Sequence, residues 1–330
     1  MDELGIGVQD GDLERAVAEA MARVEDGLRV AVASDDPFVG EAARYLVEAG
    51  GKRFRPLMAL LAAHCGPEPE TAQVIDAAVV CELTHLATLY HDDVMDEAEV
   101  RRGAASANAR WDNTLAILTG DFLFSRASNL LAGLGPWAVK LQATTFERLV
   151  LGQIHETAGP ASGEDPVAHH LQVLADKTGS LIATAAEFGA TFAGAPPHTV
   201  AALREFAEQY GLAFQISDDI IDIASDADQS GKVPGTDLRE GVPTLPVLYA
   251  LAGTEPEQAR LRELLAGPVK NEADLAEALR LLRVSPALAQ ARATLAELAA
   301  AARAAAGKIG TPRVVAAFEA LVDHVVSRTG

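Results

Sequence analysis

An all-α fold is what this sequence predicts, on three observations. Hydrophobic residues make up 49% of the 330-residue chain, yet aromatic residues make up only 5%. Ala and Leu carry the apolar content, and both lose little side-chain entropy in a helix. Alternating runs of β-branched and aromatic residues, which would announce a large sheet, are scarce. No linker longer than a loop divides the chain, so one domain over residues 1–330 is expected, with 1–10 as a loose lead-in.

The elements follow in order. Leu13, Val17, Met21, Val24 and Leu28 trace one face of a first helix, with Asp12 as its expected N-cap. A second helix starts near Pro37 and stops at Gly50-Gly51. The segment GGKRFRP then places Lys52, Arg53 and Arg55 on a short loop before a helix that begins around Pro56. Backbone and cationic donors there suit an anion, although a solvated basic turn has the same composition. Residues 71–96 read as one long helix ending in DDVMD, followed by a polar connection over 97–110 that carries Arg101 and Arg102. Helical patterns cover 111–132 and 136–158, interrupted by Gly133–Pro136. A loop at 159–166 leads to a helix over 167–193 containing Lys177-Thr178. The next helix, 198–226, carries DDIID near its C-terminal end. The polar, Gly/Pro-rich stretch that follows reads as a flexible flap. Four or five shorter helices complete the chain, one of them nearly pure Ala/Leu at 286–306.

A net charge of −20 argues against a general nucleic-acid binder. Only six lysines are present, and Lys52, Lys177 and Lys232 fall in motif-like stretches, a placement that suits local phosphate recognition on a repulsive background, although an arginine-preferring composition in which lysine is simply rare gives the same count. Cys65 and Cys81 lie in apolar helical contexts and read as buried free thiols, without disulfide or zinc spacing. The first residues lack the basic and apolar regions of a signal peptide. No run reaches the roughly 18 apolar residues that cross a bilayer, so a cytoplasmic protein is expected.

The chemistry rests on two aspartate clusters: Asp92, Asp93 and Asp96, and over a hundred residues later Asp218, Asp219 and Asp222. At 3.6 residues per turn Asp92 and Asp96 share a helix face. Carboxylates one turn apart repel each other, and at a helix C-terminus they also oppose the macrodipole; a cation relieves both. One such cluster is equally an acidic turn in solvent. Two on long helices are a more specific signal, and hard oxygen ligands select Mg²⁺ or Mn²⁺. Mg²⁺ held by a few carboxylates beside Lys and Arg is the composition of a diphosphate or triphosphate site, and no GxxxxGK[ST] loop is present.

GGKRFRP, LYHDDVMDEAEVRRG, LTGDFLFSRA, DKTGSL, GLAFQISDDIID and GTDLREGVPTLPVLYAL occur in one order over about residues 40–250. Together they resemble the all-trans polyprenyl diphosphate synthase (trans-prenyltransferase) family. The resemblance implies a helical bundle of the isoprenoid synthase type around a deep central cavity, in a homodimer. It implies head-to-tail condensation of isopentenyl diphosphate with an allylic diphosphate such as farnesyl or geranylgeranyl diphosphate. The allylic diphosphate would bind through Mg²⁺, about three ions per site with Mn²⁺ as substitute. Asp92, Asp96 and Asp218 would be ligands, with Asp93, Asp219 and Asp222 in ligand or supporting roles. Lys52, Arg55, His85 and Arg102 match the isopentenyl diphosphate pocket, although His85 taken alone reads as a core histidine. Arg101, Lys177 and Lys232 match groups that grip the allylic diphosphate, and Thr178 and Gln215 line the path of the allylic cation, which needs oxygen and amide dipoles in a dry cavity. Val242 stands where many members carry lysine, which leaves one phosphate contact absent or transferred to Arg239.

By the same resemblance, bulky aromatics just before the first cluster end chain growth early. Here Ala87, Thr88, Thr84 and Cys81 are all small. A long product of about C35–C50 is therefore expected, with Phe146 or Val150 as candidates for the floor. A quinone side chain is its expected use, with transient contact at the membrane surface on release. The alternatives are a short-chain geranylgeranyl diphosphate synthase, a class I terpene cyclase and a non-catalytic synthase subunit.

Overall fold

The computed structural model describes residues 10–224 and 234–329, and apart from one two-stranded hairpin its regular elements are helical. They are α1 (Gly11–Ala31), α2 (Pro37–Glu48), α3 (Phe54–Ala63), α4 (Ala72–Met95), β1 (Val100–Arg101), β2 (Ala104–Ala105), α5 (Ala107–Arg110), α6 (Asn113–Leu134), α7 (Pro136–Ala158), α8 (Pro166–Leu174), a π-helical turn (Ala175–Gly179), α9 (Ser180–Phe192) and α10 (Pro197–Ala224). Then come α11 (Thr236–Glu240), α12 (Leu245–Ala252), a 3₁₀ turn (Pro256–Gln258), α13 (Ala259–Leu264), α14 (Glu272–Arg283), α15 (Pro286–Ala306) and α16 (Pro312–Ser327).

The chain divides into two compact units. Among the described residues the first comprises 10–146, 181–204 and 308–317, and the second 147–180, 205–224, 234–307 and 318–329. In the first, α4 packs against α1, α3 and α6. Small residues permit the close approaches: a Cβ on Gly27 of α1 would lie 2.8 Å from Val79 of α4. Tyr90 is fully buried, and its hydroxyl donates to the Ala42 carbonyl at 2.5 Å, tying α4 to α2. Among the described residues α4 is the one helix long and apolar enough by length and mean composition to cross a membrane, but Glu82, Thr84 and His85 interrupt its apolar run, and with 67% of its most apolar stretch buried it serves as a core helix. In the second unit Ile223, Leu238, Val247, Leu265, Leu275 and Leu282 belong to one buried apolar cluster.

Several expectations are corrected locally. Asp10, not Asp12, caps α1, accepting from the amides of Asp12 and Leu13. The third helix begins at Phe54, so Arg55 sits in its first turn rather than on the preceding loop. The connection after α4 folds into a hairpin, with Val100 paired to Ala105 and Arg101 to Ala104. Its two loop residues, Arg102 and Gly103, have φ of 54° and 78°, as a tight turn matched to the twist of the strands requires. The helix expected over 167–193 is broken by the π turn at Lys177-Thr178. Part of the expected flap is the short helix α11; Lys232 lies outside the described residues. Cys81 is buried, whereas Cys65 is half-buried.

Candidate active site

In the first unit, cations gather at the N-terminal end of α3 and on the hairpin, around the carboxylate of Glu82 on α4. Arg53 is the N-cap of α3 and adopts a left-handed φ of 45°, an arrangement costing about 1–3 kcal/mol for a residue with a side chain. No side chain caps this helix end. Cations beside the positive end of a helix are unfavourable alone, and an anion placed there relieves both.

The counter-charge is Glu82, on α4 and 1% exposed. Its carboxylate accepts from Arg53 Nη1 at 3.0 Å and lies 4.0 Å from Arg102 Nη2. Arg53 also reaches Glu25 of α1 at 2.6 Å. Arg102 donates to the carbonyls of Leu46, at 2.9 Å, and Gly50. A Cβ on Gly51 would fall 2.8 Å from the Arg102 Cζ, so glycine is needed for that approach. Burial and the neighbouring Arg102 work to lower the Arg55 pKa against the attraction of Glu82 and Asp92, and its Nε is buried without a hydrogen-bond partner. His85 is held well below the ordinary histidine range, first by burial and then by Arg55, Arg102, Arg53 and Arg101. A neutral imidazole among guanidinium groups can donate a hydrogen bond to an anion without adding charge. Lys52 is exposed. Thus Arg55, His85 and Arg102 form one electrostatic cluster with Arg53, read from the sequence only as part of the basic loop, and with Glu82, which the sequence reading did not assign to the site. Glu82 stands out in hindsight as a charge inside an otherwise apolar helical stretch.

At the end of α4, Asp96 is the C-cap, and its amide donates to the Asp92 carbonyl at 2.8 Å. Asp93 is fully buried and accepts from Arg101 Nε at 2.6 Å. Arg101, expected to grip phosphate, is thereby engaged by an aspartate of the first cluster.

Of the four chain-length candidates, Thr84 lines a cavity of about 490 Å³ among α4, α6 and α7, and Ala87, Thr88 and Cys81 are not on its wall. Phe146 lines it, whereas Val150 is not on its wall and is 42% exposed. Gln142, which the sequence reading passed over, also lines it and donates from Nε2 to Thr84 Oγ1 at 2.8 Å.

In the second unit the acidic cluster lies near the end of α10. Asp218 Oδ1 is 2.9 Å from Arg328 Nη2. Asp219 is buried, accepts from Gln215 Nε2 at 3.4 Å and lies 3.6 Å from His170 Nε2. Asp222 accepts from the amides of Thr236 and Asp237, each at 3.2 Å, and so caps α11. Lys177 pairs with Glu156, and Thr178 is half-buried in the π turn. A side chain on Gly152 of α7 would come within 3.0 Å of the Lys177 amide, so α7 approaches the turn through a glycine. Val242 is 37% exposed, and Arg239 pairs with Glu272, its Nη2 2.9 Å from Oε2.

The donor set fits a hard divalent cation. The six candidate ligands are carboxylates, and Oδ2 of both Asp93 and Asp219 is buried without a hydrogen-bond partner. Among the described residues no three His, Cys, Asp or Glu groups converge into a complete cage. Such a donor set suits a cation that completes its shell with water and phosphate oxygens.

The family model described as polyprenyl synthetase matches residues 36–282. A nonaprenyl diphosphate synthase of Mycobacterium tuberculosis is 50% identical over 326 residues, 99% of this chain and 97% of that protein. The crystal structure of a geranylgeranyl pyrophosphate synthase from Corynebacterium glutamicum, complexed with calcium and isoprenyl diphosphate, superposes with a TM-score of 0.89 at 45% identity, covering 97% of this chain and 98% of that one. A decaprenyl diphosphate synthase from Rhodobacter capsulatus gives 0.86 at 33% identity, covering 97% and 99%. The chain belongs to the polyprenyl synthetase family.

Proposed function

We propose that this polyprenyl synthetase condenses isopentenyl diphosphate with an allylic diphosphate, head to tail, and makes a long all-trans polyprenyl diphosphate. The observation that carries the reading is the first unit's cationic cluster of Arg55, His85 and Arg102, organised on Glu82 and electrostatically coupled to Asp92. Its net effect is a fixed anion pocket beside a carboxylate pair. The nonaprenyl and octaprenyl diphosphate synthases among the relatives support the long product, and the calcium complex of the Corynebacterium enzyme supports use of a divalent metal. Mg²⁺ is the metal proposed, held by Asp92 and Asp96 in the first cluster and by Asp218 in the second, and about three ions per site are expected. When bound, the metal supplies Lewis-acid withdrawal of charge from the leaving diphosphate. Arg55, Arg102 and neutral His85 bind and orient isopentenyl diphosphate, which raises the effective concentration of its double bond at the reacting carbon. Thr178 and Gln215 offer oxygen and amide dipoles to the allylic cation.

The cavity along α4 supports room for a growing chain, with Thr84, Gln142 and Phe146 on its wall. Exposed apolar side chains on α6 (Ile117, Leu118) and α7 (Trp137, Val139, Leu151, Ile154) support a homodimer. A single catalytic domain, a cytoplasmic location and a quinone side chain as the product's use complete the proposal. The test is chromatography of the products formed from radiolabelled isopentenyl diphosphate and Mg²⁺. A series of about C35–C50 is expected. A dominant C15 or C20 product would overturn the length assignment and favour the short-chain alternative, to which the Corynebacterium structure lends weight. Turnover of the allylic diphosphate without isopentenyl diphosphate would indicate a cyclase instead.

A further inference from the structure

Within the second unit one cation touches the acidic cluster through a residue that none of the motifs contains. Arg328 follows α16. Its Nη2 lies 2.9 Å from Asp218 Oδ1 and donates to the Phe214 carbonyl at 3.0 Å. Its Nε donates to Ser217 Oγ at 2.8 Å, and its guanidinium carbon lies 4.5 Å from the centre of the Phe214 ring. Ser217 is fully buried and donates in turn to the Val325 carbonyl at 3.0 Å. The same turn is held from another side, where Arg292 Nη2 donates to the Thr329 carbonyl at 2.9 Å. Arg328 is therefore immobilised by the Ser217 hydroxyl and by the carbonyl and ring of Phe214, all within about one turn of α10. What it presents to Asp218 is a planar donor of fixed direction, which a mobile surface arginine is not.

We propose that Arg328 is a positioning residue for the second aspartate cluster, fixing the Asp218 carboxylate by one oxygen so that the group is already oriented when a divalent cation and diphosphate arrive. Outer partners that orient a metal ligand typically contribute about 10–100-fold to affinity or activity. The inference rests on the metal–diphosphate reading of this cluster, and it makes a prediction whose sign separates it from a simple charge effect. Deleting a positive charge beside three carboxylates strengthens cation binding by Coulomb's law. Deleting an orienting group weakens it.

The experiment is calorimetric titration of Mn²⁺ into the full chain in the presence of inorganic pyrophosphate, with thermal melts in chelator as a check on folding. Arg328→Met is expected to weaken Mn²⁺ binding by about 10–100-fold. Arg328→Lys, which keeps the charge but not the fork, is expected to rescue only part of the loss. Arg292→Ala loosens the same turn without touching Asp218 and is expected to change binding far less. Unchanged or tighter binding by Arg328→Met would overturn the proposal, as would equal losses in Arg328→Met and Arg292→Ala, which would make the effect one of turn order. If the unsubstituted chain fails to bind Mn²⁺ with pyrophosphate, the metal–diphosphate reading itself fails, and that outcome is visible before any variant is made.

Discussion

The two aspartate clusters share a motif and a place near the C-terminal end of a long helix, yet they are neutralised in different ways. On α4 the middle carboxylate, Asp93, is fully buried and paired with Arg101, only eight residues away on the adjoining hairpin. On α10 the counter-groups come from distant segments: Arg328 for Asp218, and His170 near Asp219. Asp222 is occupied in capping α11. A repeated motif therefore does not imply a repeated environment. The first cluster is stabilised by its own local hairpin, the second by the tertiary packing of its unit.

The sharpest way to break that contrast is to remove one proposed ligand from each cluster. Asp92→Ala and Asp218→Ala are each expected to lower kcat on the order of a thousandfold or more, because Lewis-acid stabilisation amounts to several kcal/mol. Steady-state kinetics at saturating metal measures this, and either variant keeping a tenth of the activity would remove its cluster from the chemistry. Next in size is Glu82→Gln, which leaves Arg53 and Arg102 without their buried partner. A stability loss of about 3–5 kcal/mol in denaturant titrations is expected, with KM for isopentenyl diphosphate rising more than KM for the allylic substrate. Glu25→Gln touches Arg53 alone and serves as the control. Equal changes in both KM values would place Glu82 outside the pocket's organisation.

A finer comparison sets Asp93→Asn against Asp222→Asn. Breaking the buried ion pair is expected to cost about 3 kcal/mol, and losing the cap about 1 kcal/mol. The reverse order in urea melts would contradict the local-versus-tertiary distinction. The smallest expected effect concerns pH. The folded-state pKa of His85 is depressed by burial and by the surrounding arginines. Below the ordinary value near 6.5 the unfolded chain therefore binds a proton that the folded chain resists, so stability falls as pH drops through that window. Substituting His85 by Gln should flatten the pH dependence of the denaturation midpoint between about pH 6.5 and 5. A slope identical to that of the unsubstituted chain would mean that His85 is not the group responsible.

Much of the scaffold was legible before any coordinates. The long helix read over residues 71–96 is Ala72–Met95, and the Ala/Leu-rich helix read over 286–306 has those bounds. Helix periodicity and Gly/Pro punctuation are local signals, and local signals place helices well. Where the reading failed, the competing cause was also identifiable. Arg102-Gly103 makes a two-residue hairpin turn without the usual Asn-Gly or Asp-Gly. Lys177-Thr178 reads as ordinary helix, because its residue types carry no local signal for a π turn, and Gly152, which lets α7 approach the turn, lies far from it in sequence.

By itself the sequence determined which residues could carry chemistry here: six aspartates in two clusters, the basic loop before α3 and the cations that follow the first cluster. Residue type and short spacing suffice for that, since they set charge, ligand hardness and helix face. Only the tertiary structure decided how those residues are held. Glu82 meets Arg53 across 29 residues, Gln142 meets Thr84 across 58, and Arg328 meets Ser217 across 111. No periodicity encodes such pairs. They exist because buried polar groups must find partners, and which partners lie within reach is settled when the helices pack.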